Sequence, residues 1–201
     1  LIAYNSADST VSKVDSTFTN TNGAYIFSTS LATAWVKATP DSVLFPTELP
    51  TYFNGANLFL NSDSLQALAC QTSTGNFSTM TGTNPGGPGF ISGNVYQGAG
   101  KTEAAGDPVS GVDLLLINTQ DDVVKHWKTD NLGHLEFSNI AFGDYRVFVD
   151  DPKVNNSIAP SIKVDANSAS MNYNFSLNSQ QLIRTTPNSI TESQMNSVDK
   201  Y

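Results

Sequence analysis

A single cysteine in 201 residues, Cys70, excludes an intrachain disulfide and leaves the redox compartment unmarked by cysteine usage. Charge is scarce as well. Asp, Glu, Lys and Arg make up 14% of the chain, and 10 basic residues stand against 18 acidic ones for a net charge of −8. No Lys/Arg cluster exists to meet a phosphate backbone or an anionic lipid surface, so nucleic acid and membrane-surface partners are excluded. Apolar runs such as Val112–Ile117 are only strand-length, so no segment inserts into a bilayer as a helix. The Gly-x-Ser-x-Gly elbow, the Walker loop, the zincin helix and a Cys–His arrangement are all missing. His126 and His134 flank one turn, but a zinc site needs three or four ligands and Cys70 lies in another part of the chain. The chain therefore reads as non-enzymatic, with no catalytic residue and no cofactor motif.

Ser, Thr, Asn and Gly fill the polar positions, and with them comes a repeated phrase. Thr129-Asp130-Asn131-Leu132-Gly133-His134-Leu135-Glu136-Phe137 is followed by Gly143-Asp144-Tyr145-Arg146-Val147. Asp130 and Asn131 can bond their own backbone, and Gly133 tolerates the positive φ of a tight turn. Leu135/Phe137 and then Tyr145/Val147/Val149 alternate as a half-buried sheet requires. The phrase occurs earlier as Thr19-Asn20-Thr21-Asn22-Gly23-Ala24-Tyr25-Ile26-Phe27, with Trp35 beyond it. Thr19 and Thr129, Gly23 and Gly133, Phe27 and Phe137, and Trp35 and Tyr145 share a spacing of 110. Asn76-Phe77-Ser78 returns as Asn174-Phe175-Ser176 with a spacing of 98, which makes the first copy 12 residues longer. An internal repeat of this length divides the chain into two modules of roughly 90 residues, a normal size for a β-sandwich. Trp35 and Tyr145 are expected at equivalent core positions, packed on Phe27 and Phe137.

The expected fold is all-β: two tandem Ig-like or prealbumin-like antiparallel sandwiches, the first lacking its N-terminal strand. Residues 1–82 form module 1, the Gly/Pro-rich residues 83–89 a linker, residues 90–178 module 2, and residues 179–201 a tail. Leu1–Asn5 and Val11–Phe18 read as strands of module 1. The counterpart of Leu1–Asn5, Leu114–Asn118, is preceded by a strand over Ile91–Tyr96 that the first copy does not contain. An open sheet would expose unpaired backbone groups, so a further strand is expected to fill the gap by β-augmentation. Leu182, Ile183 and Ile190 of the tail are candidate donor residues, and head-to-tail donation between neighbouring subunits would build a filament. The alternative is that the missing strand lies upstream of Leu1.

Gly93-Asn94-Val95-Tyr96, Gly106-Asp107-Pro108-Val109-Ser110-Gly111-Val112, Thr129-Asp130 with Gly133 and Phe137, and Gly143-Asp144-Tyr145-Arg146-Val147 resemble the carboxypeptidase-regulatory-like, Cna-B and SdrD-B group. The resemblance covers nearly all of Phe90 to Leu177. It implies a prealbumin-like sandwich of the kind used as stalks and spacers in secreted and surface proteins. The first module, with Pro50-Thr51-Tyr52-Phe53, is similar to the form found in Bacteroidetes surface proteins exported by type IX secretion. Some Cna-B members carry a Lys–Asn or Lys–Asp isopeptide bond promoted by a Glu a few residues after the Gly-x-Tyr motif. Here the stretch Tyr145 to Asp150 contains no Glu, so the cross-link is not expected. Some SdrD-B members bind calcium, and Asp107, Asp113, Asp121, Asp122, Asp150 and Asp151 supply oxygens. No regular loop spacing gathers them, so solvated turn acids are the better account.

Asp8-Ser9-Thr10, Asp15-Ser16-Thr17, Asp41-Ser42-Val43 and Asp63-Ser64-Leu65 resemble the O-glycosylation acceptor of Bacteroidetes extracytoplasmic proteins, which points to Ser9, Ser16, Ser42 and Ser64. The extra residues of the first copy gather prolines and aromatics. Tyr52, Phe53 and Phe59, with Trp127, are expected either as a glycan- or partner-contacting surface or as a cluster capping the sandwich. The leading expectation is an extracellular or cell-surface structural protein: a stalk, adhesin segment or filament subunit that self-associates or takes a neighbouring strand. The alternatives are a carbohydrate-binding module and the accessory region of a larger secreted enzyme.

Overall fold

The computed structural model describes residues 1–66, 70–98, 106–178 and 180–185. Ile190 lies outside them. Among the described residues there is no α-helix, only two single 3-10 turns, Phe59–Asn61 and Asn156–Ile158. Among the described residues no helix is long and apolar enough to cross a membrane.

Eight short strands make the first module: β1 (Ile2–Asn5), β2 (Thr10–Lys13), β3 (Thr33–Ala34), β4 (Lys37–Ala38), β5 (Glu48–Leu49), β6 (Thr51–Tyr52), β7 (Leu65–Gln66) and β8 (Met80–Thr81). Another eight, most of them longer, make the second. These are β9 (Gly89–Gln97), β10 (Asp113–Ile117), β11 (Val123–Lys128), β12 (His134–Ile140), β13 (Gly143–Val149), β14 (Ser161–Val164), β15 (Ser170–Leu177) and β16 (Leu182–Thr185).

The second module is a sandwich of two four-stranded sheets, ordered β11-β10-β13-β14 and β12-β9-β15-β16. Period-two alternation drives one face of each sheet inward. Ile91 and Val95, Leu135 and Phe137, Tyr145 and Val147, and Phe175 meet there in one apolar core. β9 is an inner strand of its sheet, antiparallel to β12 and parallel to β15. β10 departs from alternation, since Leu114, Leu115, Leu116 and Ile117 are all buried. Leu114 and Leu116 enter the sandwich core, whereas Leu115 and Ile117 share the opposite face with Asp113. A strand buried on both faces reads as a continuous apolar run, and here it marks the sheet face that the first module covers.

Part of the expected tail, Leu182–Thr185, is a strand of the second four-stranded sheet. Leu182–Thr185 pairs antiparallel with β15, with Leu182 buried opposite Leu177. The Asn178 side chain closes the hairpin by accepting from the Gln180 and Gln181 N–H groups. This edge strand buries only Leu182, so its sequence has almost no alternation to read. Leu182 and Ile183, named as donors to another subunit, thus lie in their own module's sheet.

Among the described residues of the first module, regular pairing is confined to four two-stranded ladders, β1-β2, β3-β7, β4-β6 and β5-β8. The repeat is nevertheless preserved at its turn. Gly23 N–H donates to Asn20 O at 2.9 Å, and Asn22 and Ala24 N–H donate to Asn20 Oδ1 at 2.9 and 3.0 Å. In the second copy Gly133 N–H donates to Asp130 O at 3.0 Å, and Leu132 and His134 N–H donate to Asp130 Oδ1 at 2.8 and 2.9 Å. Both glycines hold positive φ, 77° and 71°, which is the reason each turn needs one.

Beyond the turn, two expectations are corrected. The strand expected over Val11–Phe18 ends at Lys13, and Phe18 is 97% exposed. Trp35 does not occupy the position of Tyr145. Ala34 and Val36 enter the small apolar cluster with Leu1, Phe27 and Phe77, while Trp35 turns away to pack on Tyr4 and Phe59. The burial pattern shows why. Ala34 and Val36 face the apolar cluster of their module as Tyr145 and Val147 face theirs, so in burial Ala34 is the residue that corresponds to Tyr145. A slip of one residue sends every side chain to the other face of a strand.

Candidate functional site

The face of β10 and β13 that looks toward the first module carries two neighbouring acids. Asp113 opens β10, and Asp150 follows β13 directly; Asp150 N–H donates to Asp113 O at 2.9 Å. Two adjacent carboxylates in a half-buried place repel unless a cation is supplied. The one-residue slip in the first module supplies it. With Val36 committed to the apolar cluster, Lys37 points the other way, and its Nζ lies 2.8 Å from Asp150 Oδ2 and 3.0 Å from Asp113 Oδ2.

Asp150 is the more enclosed, with its side chain 2% exposed. Besides Lys37, it accepts from Tyr52 Oη at 2.8 Å and from Phe59 N–H at 2.7 Å, the latter capping the 3-10 turn. The Tyr52 ring lies under the Lys37 ammonium at 4.9 Å. Asp113 completes its set with His126 Nε2 at 3.0 Å and Lys128 Nζ at 3.7 Å. A cleft of about 650 Å³ runs beside this cluster, with Phe18, Phe27, Lys128, Asp151 and Leu177 among its walls.

Burial alone would raise the Asp113 pKa, but the His126 hydrogen bond and the Lys37 charge outweigh it and hold the carboxyl well below the usual range. For Lys37, burial pulls down and the Asp150 and Asp113 charges pull up; the balance is a raised value. Asp113 thus contributes stability that is complete above its ordinary pKa of 3.8 and is lost as pH falls below it. Lys37 contributes stability that is complete below 10.5 and is lost as pH rises past it. The melting temperature is expected to be flat between about pH 5 and 9 and to fall on acidification, with a shallower acid limb in Asp113→Asn. An unchanged acid limb in that variant would show that the pair does not carry the dependence.

Lysine beside two aspartates also contains the atoms of an amide cross-link. Amide formation needs a neutral carboxyl and a free amine, whereas the shifts of Asp113 and Lys37 keep that carboxyl and that amine charged. The intact mass is therefore expected to equal that of the unmodified chain, and a deficit of one water would contradict this.

The residues singled out from sequence fall in several places. Tyr52 and Phe59 are 4% and 6% exposed, so the surface expected for glycan stacking is internal. Their ring faces are taken by each other, Tyr4 and Trp35. Phe53 packs on Phe77, and Trp127 is half-buried against the second core, donating from Nε1 to His134 O at 3.0 Å. His126 and His134 sit on strands of different sheets, so they form no pair.

Of the acids offered for calcium, Asp113 and Asp150 converge, but around the Lys37 ammonium. Asp121 pairs with Arg146, and Asp122 accepts from Asn118. Among the described residues no three acidic, His or Cys side chains gather in a metal-holding group. In three of the Asp-Ser motifs the aspartate has a local task. Asp8 accepts from Thr10, Asp15 from Ser16 N–H, and Asp41 from Val43 and Leu44 N–H. Ser16 and Ser42 are exposed, and Ser9 and Ser64 half-exposed.

Residues 98–148 match the SpaA family model, a prealbumin-like fold domain. The second module has a prealbumin-like fold. Solved structures similar to the chain include BcpA, the major pilin subunit of Bacillus cereus, at 15% identity and a TM-score of 0.35, covering 48% of this chain and 30% of that one. A variant of the same pilin aligns at 16% identity and 0.35, covering 49% and 30%. An (S)-allantoin synthase aligns at 12% identity and 0.34, covering 48% and 43%. The chain thus spans less than half the length of each. No curated protein matches it in sequence.

Proposed function

We propose that this chain is a structural element of an extracellular or cell-surface protein, a stalk, adhesin segment or filament subunit, in which two β modules act as one stiff unit. The observation that carries this reading is Asp150, a carboxylate whose three donors, the Lys37 ammonium, the Tyr52 hydroxyl and the Phe59 N–H, all come from the other module. A short linker alone lets modules swivel. Drawing this interface apart would strand a buried carboxylate, and leaving one partner of such a pair unmatched costs about 3–5 kcal/mol.

A prealbumin-like second module and a surface of hydroxyls and amides suit a passive, load-bearing part. Calorimetry of the intact chain is expected to give one cooperative transition for both modules. Two separate transitions in the native sequence would overturn the reading.

A further inference from the structure

The second module displays a complete sheet in which β9 lies between β12 and β15. In the first module the counterparts of β12 and β15 are residues 24–27 and 74–77, by the spacings of 110 and 98. Neither segment is in a ladder. Among the described residues, no backbone N–H of 25–27 or 74–77 donates to another main-chain carbonyl. Apart from Gly75 O, the main-chain donors and acceptors of 25–27 and 74–77 are open among the described residues, bordered by the half-buried rings of Tyr25, Phe27 and Phe77.

One contact identifies the gap. In the second module Leu135 and Tyr173 both pair with Gly93, one on each side. The Tyr173 carbonyl oxygen faces β9 so closely that a Cβ on Gly93 would lie 1.6 Å from it. Two independent spacings carry Leu135 to Tyr25 and Tyr173 to Gly75. These two residues do face each other in the first module, where the Tyr25 hydroxyl donates to Gly75 O. The side chain of Tyr25 reaches across the place of the absent strand and satisfies a carbonyl whose counterpart faces β9 in the second copy. Burial raises the Tyr25 pKa, so the hydroxyl keeps its proton to donate.

We infer that this gap is a docking site for an extended peptide strand of the β9 pattern, apolar-polar-Gly-polar-apolar, supplied from outside the described residues. The inference builds on the structural reading above but not on the Lys37 junction. The required chemistry follows from the register. The glycine comes opposite Tyr25, because a side chain there would meet the tyrosine ring and the Gly75 carbonyl. An apolar residue two positions before it meets Phe27, as Ile91 meets Phe137, and one two positions after it meets Phe77, as Val95 meets Phe175. Within this chain, Leu182 and Ile183 are already engaged on β15 and do not fill the site.

The test uses the whole chain and a fluorescent peptide of sequence FISGNVY, copied from Phe90–Tyr96, with hydrogen exchange to locate it. Saturable binding is expected, with new amide protection at residues 25–27 and 74–77. Replacing the peptide's glycine with leucine should weaken binding at least ten-fold. Tyr25→Phe, which removes the competing donor and keeps the ring, should strengthen it several-fold. Absence of saturable binding to the folded chain would overturn the inference. So would equal binding of the leucine peptide, or protection confined to β12 and β15, which would mean exchange with β9. None of these outcomes alters the cooperative melting expected from the junction, so the two readings fail separately.

Discussion

Lys37→Met is expected to destabilise the coupled protein by about 3–5 kcal/mol and to split its single thermal transition into two. Methionine keeps most of the apolar stem but removes the charge, leaving Asp113 and Asp150 side by side with only His126 and Lys128 at the outer one. Asp150 loses the only cation within ion-pair distance among the described residues. A surface ion pair would be worth about 0–1 kcal/mol, and what separates this case is the enclosure of Asp150. Adding Asp113→Asn and Asp150→Asn to Lys37→Met should recover part of the loss, because no uncompensated charge is then buried. Calorimetry reads both quantities. A Lys37→Met protein that melts in one step within about 1 kcal/mol of the parent would show that the junction is held by something else.

Phe137→Ala should cost about 3–5 kcal/mol, enough to unfold the second module near room temperature. Its ring is 0% exposed at the centre of the sandwich, and no neighbour can collapse into the space without moving a sheet. The same substitution at its repeat counterpart, Phe27→Ala, should cost markedly less, about 1–2 kcal/mol, because that half-buried ring borders a gap. Urea unfolding of the two variants compares identical chemistry in two settings. Equal losses would mean that the first module is packed as tightly as the second, and the open slot beside Phe27 would lose its basis.

The all-β character, the tandem phrase and its glycine turns were legible because they depend on local chemistry: alternation, Asx side chains and positive φ. The prealbumin-like second module was legible for the same reason, its strands being long enough to repeat their pattern. The junction was not. Lys37, Asp113 and Asp150 are far apart in sequence, and each looks like an ordinary solvated charge. A faint signal existed in Asp113, which interrupts the run from Val112 to Ile117, and in the buried parity of Leu115 and Ile117, which requires a cover. Tyr52 and Phe59 looked like a binding surface because aromatics at low charge density suit both an interface with a ligand and one between modules.

By itself the sequence determined the all-β character, the long strands of the second module and the two glycine turns, since those follow from the conformational preferences of neighbouring residues. Tertiary structure alone decided which face each strand of the first module presents. A single-residue slip between Phe27 and Ala34 exchanges inside for outside at no visible cost in composition. That exchange sends Lys37 across to two aspartates, and it could be settled only by which residues of the strand the apolar cluster takes in.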